Sequence, residues 1–261
     1  MATPSNAGRA QKARPVSQQS WARSAWENFK SIAGAVAIFL ILRAFVVEAY
    51  RIPSGSMIPT LLVGDWLFVN KAIYGAHVPF THSSLPAVRE PRRGDVVVFV
   101  SPYQADEEAA GREPTPTLVK RLVGTPGDTL YMRSGILYLN GIAQRQGYGV
   151  AAAIQPEIAN SVDPLFDWQK RVGLKSSRFG RAPVQPTHDE WGPLVVPPGR
   201  LFMMGDSRYN SKDSRYWGFV PRENVRGKPL FVYYSYNADD SDRPLPWLTD
   251  VRWSRIGHWI K

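Results

Sequence analysis

Two serines lie between two prolines in the segment PSGSMIP at residues 53–59. Proline fixes its own φ and glycine allows a tight turn, so Ser54 or Ser56 can be held rigidly with its hydroxyl exposed. A hydroxyl held in this way can act as a nucleophile when a neighbouring base takes its proton. A proline-rich turn without chemistry is the alternative. The segment is not a nucleophile elbow, because Ile58 stands where G-x-S-x-G requires glycine.

A lysine on a predicted strand is a candidate for that base. Residues 117–123 read TLVKRLV, and strand alternation places Lys120 on one face with Leu118 and Leu122. Apolar neighbours remove water from the amine, which lowers its pKa and makes the neutral form available as a general base. The alternative is a charged edge-strand lysine that prevents aggregation. None of the four histidines lies in a recognisable polar motif, so a Ser-His-Asp triad lacks its middle member.

A third segment, GDSRYNSKDSRYWG at residues 205–218, alternates acids, bases and hydroxyls before it closes with aromatic residues and glycine. Charge-assisted hydrogen bonds inside such a loop can make it rigid and support a neighbouring site, whereas a solvated surface loop is the alternative. The loop begins with the G-D-S triplet of trypsin-like proteases. Arg208 and Tyr209 follow, however, where two glycines would build the oxyanion hole, so that class is rejected.

Composition narrows the classes of site that the chain can carry. Its 261 residues include no cysteine, which excludes disulfides, thiolate chemistry and cysteine-ligated metals. The four histidines never occur as H-x-x-x-H, so no metal site is predicted. Apolar residues make up 44% of the chain, enough for a folded core. The net charge of +10 suggests an anionic neighbour such as lipid headgroups or nucleic acid.

The N-terminal region predicts a membrane anchor. Residues 1–30 are polar and basic and predict a disordered tail, and the apolar segment 31–49 is about long enough to span a bilayer. Arg43 lies near one end, where its side chain can reach the interface. A buried core helix and a signal peptide cleaved after VEA at 47–49 are the alternatives. By the positive-inside rule the tail is cytoplasmic, and everything after Tyr50 lies outside.

The remainder, residues 50–261, predicts an antiparallel β-rich domain, so the fold class is mainly β. Short β-branched or aromatic runs are separated by Gly, Pro, Asn and Asp, and Thr129 to Leu139 predicts a hairpin. The pattern loosens between residues 142 and 198, which we interpret as a variable insertion or small second lobe. The predicted strand runs are residues 67–69, 96–100, 118–123, 130–132, 136–139, 201–204 and 231–236.

Taken together and in this order, these segments resemble the type I signal peptidases, the Ser/Lys leader peptidases of bacterial secretion. The resemblance covers residues 50–141 and 199–220. Two departures are Ser207, where the family usually has Asn, and Leu118, where an aromatic residue is common. The matching segments are PSGSMIPTL, GDWLFVNK, RRGDVVVF, VKRLVGTPGD and GDSRYNSKDSRYWG.

The resemblance implies a role for each candidate residue. Ser56 would be the nucleophile and Lys120 the general base. The Ser54 hydroxyl and the Ser56 backbone N–H would form the oxyanion hole, and Ser211 would orient the lysine amine. A supporting ionic framework would consist of Asp206, Asp213, Arg121 and Arg215, and a shallow pocket for small substrate side chains would be lined by Ile52, Met57 and Leu61.

The implied function is a membrane-bound serine endopeptidase that removes signal peptides from secretory preproteins after a small-x-small motif. It would act on the outer face of the bacterial cytoplasmic membrane, with preproteins and membrane lipids as partners and without metal, cofactor or nucleic acid. Three alternatives remain open: a conjugation-pilin processing protease, a non-catalytic membrane-tethered β protein that binds anionic polymers, and an autoproteolytic repressor. The last is disfavoured, because no DNA-binding helix pair precedes the β region.

Overall fold

The computed structural model describes residues 18–81, 83–145 and 155–261. The first element is helix α1, Gln18–Phe45, and its stretch Arg23–Phe45 is long and apolar enough to cross a membrane. Twenty-three helical residues rise about 35 Å, against about 30 Å for the hydrocarbon core.

The structure corrects two boundaries of the predicted anchor. Residues 18–30 belong to α1 rather than to a disordered tail, while the remainder of that tail lies outside the described residues. The helix ends at Phe45, and Val47–Ala49 lie in strand β1, Val47–Arg51, which pairs with Asp65–Asn70. The apolar segment 31–49 is therefore divided between helix α1 and strand β1. Its β-branched end satisfies its backbone in a sheet ladder, as such residues often do.

Arg43–Lys261 forms one compact unit, and the prediction of a mainly antiparallel β fold is confirmed. A seven-stranded sheet has the order β1-β2-β11-β3-β4-β9-β10, and a four-stranded sheet has the order β7-β6-β5-β8, with every neighbouring pair antiparallel. Each predicted strand run overlaps a strand. After β1 the strands are β2 Asp65–Asn70, β3 Val96–Val100, β4 Thr117–Gly124, β5 Thr129–Arg133, β6 Ile136–Leu139, β7 Ile142–Ala143, β8 Trp191–Val195, β9 Arg200–Met204, β10 Val220–Pro221 and β11 Val225–Ser235.

In the part of the chain that the structure describes, the helices after α1 are short. The predicted hairpin is present as β5 and β6, and its turn places Ser134 at φ 49° and Gly135 at φ 73°, the two positive values that a tight two-residue turn requires. The helices after α1 are α2 Ala105–Ala109, α3 Pro156–Ala159, α4 Trp168–Val172, α5 Ser214–Trp217 and α6 Pro246–Thr249.

The described residues of the stretch 142–198 belong to the same compact unit as the other strands. Strand β8 is an integral strand of the smaller sheet, and its Trp191 is fully buried with Leu130 and Phe202 in one hydrophobic cluster. That cluster combines residues of both sheets, so the region that the sequence leaves irregular completes the core. Residues 146–154 of the proposed insertion lie outside the described residues.

Strand β4 lies inside the larger sheet rather than at its edge. Lys120 is paired with Val97 of β3, and the neighbouring Arg121 is paired with both Val96 of β3 and Met204 of β9. The interpretation of Lys120 as an edge-strand lysine is therefore wrong, because both sides of β4 are covered by other strands.

Candidate active site

The fold brings Ser56 and Lys120 together from positions 64 residues apart. Ser56 lies in a single 3₁₀ turn, Gly55–Met57, and Lys120 extends from the middle of β4. The Lys120 Nζ donates a hydrogen bond to the Ser56 Oγ at 2.5 Å. Only 9% of Ser56 and 4% of Lys120 is exposed, so the contact is largely shielded from water.

Burial changes the acidity of Lys120. Loss of water around the amine lowers the pKa of Lys120 to about 8, the attraction of Asp213 and Asp206 opposes this shift, and repulsion from Arg215 adds to it. A substantial fraction of Lys120 is then neutral near pH 8. When the amine is neutral, the hydrogen bond can reverse, so that the Ser56 hydroxyl donates to the Lys120 Nζ. The amine can then accept the hydroxyl proton and activate the serine.

Glycine at position 205 permits the close packing that positions Ser56. A Cβ at Gly205 would lie 2.6 Å from the Ser56 carbonyl oxygen and 2.2 Å from the Ser211 Oγ, closer than real side chains approach. Next to it, the Ser207 N–H donates to the Ser56 carbonyl at 3.0 Å. The end of β9 therefore holds the backbone of Ser56, and the glycine is required by space rather than by its φ.

Ser54 lies at the N-terminal end of the same 3₁₀ turn. Its side chain is exposed, makes no capping hydrogen bond to the turn, and lines a groove of about 300 Å³ together with Ser56 and Lys120. The first N–H groups of a helical turn lack partners inside it. The Ser54 hydroxyl and the Ser56 N–H are thus two candidate hydrogen-bond donors near the Ser56 hydroxyl.

The resemblance implies that Ser211 binds the Lys120 amine, but the structure shows a different partner for its hydroxyl. Its hydroxyl donates to the Asp213 Oδ2 at 2.9 Å, and in the described part of the chain no hydrogen bond joins it to Lys120. Gly205 donates its N–H to the same carboxylate oxygen at 3.0 Å. Asp213 therefore connects Ser211 to Gly205 at the end of β9, and its charge acts on Lys120.

Asp206 and Arg121 form an ion pair beneath the nucleophile segment. The guanidinium binds both carboxylate oxygens, with Nε–Oδ1 at 2.7 Å and Nη2–Oδ2 at 2.6 Å. The hydroxyl of Thr60 donates to the same carboxylate at 2.5 Å. Arg121 follows Lys120 on β4, and Thr60 lies four residues after Ser56. Because Asp206 binds both, it ties the strand that carries Lys120 to the segment that carries Ser56.

Asp213 and Arg215 form a second pair with no exposed surface. The Arg215 Nε and Nη2 each lie 2.8 Å from the Asp213 carboxylate, and this partner raises the pKa of Arg215 and lowers that of Asp213. Arg215 also donates to the His188 Nε2 at 2.5 Å, and the His188 Nδ1 lies 2.6 Å from the Asp189 carboxylate. Within the loop Asp213 neutralises Arg215, whereas Asp206 and Lys212 pair with residues outside it.

Sequence reasoning missed His188 and Asp189. They lie in the stretch interpreted as an insertion, yet His188 is 1% and Asp189 4% exposed, and Tyr209 donates to the second oxygen of Asp189 at 2.7 Å. The only sequence signal was the adjacency of an imidazole and a carboxylate. Surface loops often carry such pairs, so their contact with Arg215 could not be read from the pattern.

The predicted pocket residues lie in a core instead of the groove. Ile52, Met57 and Leu61 are 4%, 1% and 0% exposed and belong to one hydrophobic cluster. The structure does not bring them to the surface of the groove beside Ser56. That groove is lined, besides Ser54, Ser56 and Lys120, by Gln104, Glu107, Pro116, Leu118, Asn210, Lys212 and Trp217.

The described residues contain no group of three or more His, Cys, Asp or Glu arranged to hold a metal ion. The site therefore has a buried amine, a nucleophilic hydroxyl, two candidate donors for a developing oxyanion and a rigid ionic framework. This arrangement can perform acyl transfer through a serine.

Known proteins are similar in sequence to this chain over most of its length. A family model described as signal peptidase, peptidase S26, matches residues 25–234. A signal peptidase I of Pseudomonas aeruginosa is 36% identical over 246 residues, which cover 88% of this chain and 78% of that protein. A signal peptidase I of Haemophilus influenzae is 30% identical over 286 residues, covering 96% and 78%.

A solved structure of a signal peptidase I from Enterococcus faecalis is 29% identical and covers 54% of this chain and 97% of that chain, with a TM-score of 0.32. The family model covers more than half of the chain, and the bacterial relatives align with most of it. The chain therefore belongs to the signal peptidase family, peptidase S26.

Proposed function

We propose that this enzyme is a membrane-bound serine endopeptidase that removes N-terminal signal peptides from secretory preproteins. The observation that carries the proposal is the 2.5 Å contact between the Lys120 amine and the Ser56 hydroxyl, together with the burial that lowers the pKa of Lys120 to about 8. Family membership supports the substrate class, because the relatives are signal peptidases.

The first chemical step is acylation of Ser56. Neutral Lys120 accepts the hydroxyl proton while the Ser56 Oγ attacks the carbonyl carbon that follows the small-x-small motif. As the tetrahedral intermediate collapses, the C–N bond breaks, and the proton on Lys120 passes to the leaving amine. The mature protein departs with a new amino terminus, and the signal peptide remains as an ester on Ser56.

Deacylation repeats the sequence with water. Lys120 takes a proton from the water that attacks the ester carbon, and then returns a proton to the Ser56 Oγ as the ester bond breaks. In both steps the Ser54 hydroxyl and the Ser56 N–H donate hydrogen bonds to the negatively charged oxygen of the tetrahedral intermediate. Because these donors are already in position, they need not reorganise when the charge develops. The remaining polar residues support this chemistry through Lys120 or through the backbone of Ser56.

The membrane placement follows from charge and length. Helix α1 crosses the bacterial cytoplasmic membrane once, the basic tail before it remains in the cytoplasm, and the β domain lies on the outer face with lipid headgroups as neighbours. Arg9, Lys12, Arg14, Arg23 and Lys30 outnumber Glu27 in residues 1–30. A signal peptide that crosses the same membrane presents its cleavage site at that face.

The test is cleavage of a purified preprotein by the full-length enzyme in detergent or vesicles, with the new amino terminus identified by mass. We expect a single cut after a small-x-small sequence and no cut by Ser56→Ala at equal concentration. Cleavage by Ser56→Ala would contradict the assignment of the nucleophile. Failure of the wild-type enzyme to cleave any of several preproteins would contradict the function.

The alternatives from the sequence are not favoured. The curated relatives are named signal peptidase I, and none of those compared above is named as a pilin-processing enzyme or a polymer-binding protein. The buried dyad also has no purpose in a protein that only binds. Growth after depletion distinguishes the first alternative, since general preprotein processing should be essential and pilin maturation should not.

A further inference from the structure

We infer that the substrate groove continues beyond the dyad into a second, charged pocket that holds the mature part of the preprotein, and that Arg171 there favours an acidic substrate side chain. The inference rests on the proposed function, because it assigns a further stretch of the same substrate. We call this second pocket the annex. Its lining combines residues of α2, α4 and α5 with Tyr103, Gln104, Pro164, Leu165, Asp167 and Lys212.

Shared lining residues show that the two cavities adjoin each other. Gln104, Lys212 and Trp217 line both the groove of about 300 Å³ that contains Ser56 and the annex of about 550 Å³. A substrate bound at Ser56 in extended form advances about 3.3 Å per residue. It therefore reaches the annex within a few residues of the scissile bond.

The annex is fixed to the ionic framework of the site. Helix α4 contributes Trp168 and Arg171 to its lining. The Trp168 Nε1 and the Gln169 Nε2 both donate to the Arg215 carbonyl oxygen, at 3.0 Å and 2.9 Å. Arg215 in turn binds Asp213, whose charge acts on Lys120. The annex thus keeps a constant position relative to the dyad, as a subsite must.

The charges of the annex select its occupant. Lys212 pairs with Asp106 at 2.5 Å and with Glu107 at 2.7 Å, and Glu107 also pairs with Arg112. Lys170 pairs with Asp167 at 2.6 Å, so these three cations and three anions cancel. Arg171 also lines the annex, is exposed, and has no ion pair within the described residues. The apolar central segment of a signal peptide offers no partner for this charge, whereas the mature chain after the cut can supply an acidic side chain. An excess positive charge favours an acidic residue there.

The experiment compares peptides that share one cleavage site. Each peptide carries a single Asp, Ser or Lys, placed in turn at successive positions of the first six residues after the scissile bond. We expect kcat/KM at one or two neighbouring positions to follow the order Asp, Ser, Lys, with about a two- to fivefold step, as for an exposed charge pair. The preference should decline at high salt. Arg171→Glu should reverse the order, and Arg171→Gln should abolish it.

Arg200→Glu is the matched control, because Arg200 is an exposed arginine that lines neither cavity and gives the same change of net charge. It should keep the wild-type order. An unchanged order in Arg171→Glu, or an equal reversal in Arg200→Glu, would overturn the inference while cleavage of the Ser peptide still supports the proposed function. If the wild-type enzyme cleaves no peptide and no preprotein, both are overturned.

Discussion

Lys120 and Arg215 are both buried cations of the same site, yet their surroundings give them opposite properties. Arg215 has no exposed surface and binds the Asp213 carboxylate through two nitrogens, which raises its pKa. Lys120 is 4% exposed, its amine contacts the neutral Ser56 hydroxyl, and its pKa is lowered to about 8. A directly bonded counter-ion makes one cation permanent, whereas the lack of one at bonding distance lets the other release its proton.

The largest loss of activity should come from replacing Lys120 by a side chain that stays charged, as Arg215 does. Lys120→Arg should lower kcat/KM by at least about 10⁴-fold at every pH, because guanidinium keeps its proton and cannot act as a base. The measurement is a peptide cleavage assay across a range of pH. Substantial activity in Lys120→Arg would show that the lysine acts only through its charge.

Lys120→Met is the control for folding in that experiment. It should be equally inactive but should retain the unfolding midpoint of the wild-type enzyme or exceed it, because an apolar side chain suits a buried site better than an ammonium. If Lys120→Met failed to fold, the lysine would be structural, and the contrast with Arg215 would disappear.

Removing the counter-ion of the structural cation should instead damage the fold. Asp213→Asn leaves Arg215 buried without its carboxylate and should lower the free energy of unfolding by about 3–5 kcal/mol. Asp167→Asn, which breaks an exposed pair with Lys170, should lower it far less, because solvent screens that pair. Denaturant titration in detergent measures both, and equal costs would mean that burial of the Asp213 pair has no energetic consequence.

The oxyanion donors should affect turnover without affecting stability. Ser54→Ala should lower kcat by about 10²–10³-fold with little change in KM, because the donor acts on charge that develops in the transition state. Ser54→Thr keeps a hydroxyl and should lose less. Steady-state kinetics of the two variants separate these cases, and small, equal losses would reduce Ser54 to a turn residue.

The smallest expected effect is the pH dependence of the wild-type enzyme. Because the pKa of Lys120 is lowered to about 8, kcat/KM should rise about tenfold per pH unit below that value and level off above it. An unfolded lysine titrates near about 10.4, so the unfolded chain holds more protons between these two values. The contribution of Lys120 to stability therefore increases with pH across that window. An activity profile that is flat from pH 6 to 8 would exclude a lysine base.

The sequence predicted the reactive part of this comparison better than the structural part. Two serines between prolines, and a lysine that shares a strand face with two leucines, are local patterns. The family resemblance then selected Ser56 and Lys120 as the reactive pair. The contact of Arg215 with His188 joins residues 27 positions apart, and it depends on how a loop packs against a stretch with no regular pattern. Such contacts are set by tertiary packing, which single-sequence patterns do not encode.

Element boundaries show the same limit. The apolar run that predicted an anchor to Ala49 continues from α1 into β1 with little change of composition, so hydropathy could not locate the end of the helix. Met57 and Leu61 are apolar neighbours of the nucleophile, and the sequence could not separate a groove-facing side chain from a core one. Trp191 in β8 was missed because its strand contains glycine and proline.

The burial of Lys120 also couples proteolytic activity to completion of the fold. In a partly folded chain the amine is surrounded by water, keeps its proton near neutral pH, and lies 64 residues away from the hydroxyl that it must activate. A partly folded chain therefore lacks the neutral amine that the proposed mechanism requires. The amine becomes buried beside the Ser56 hydroxyl only when the sheet is complete, with β3 and β9 paired on either side of β4.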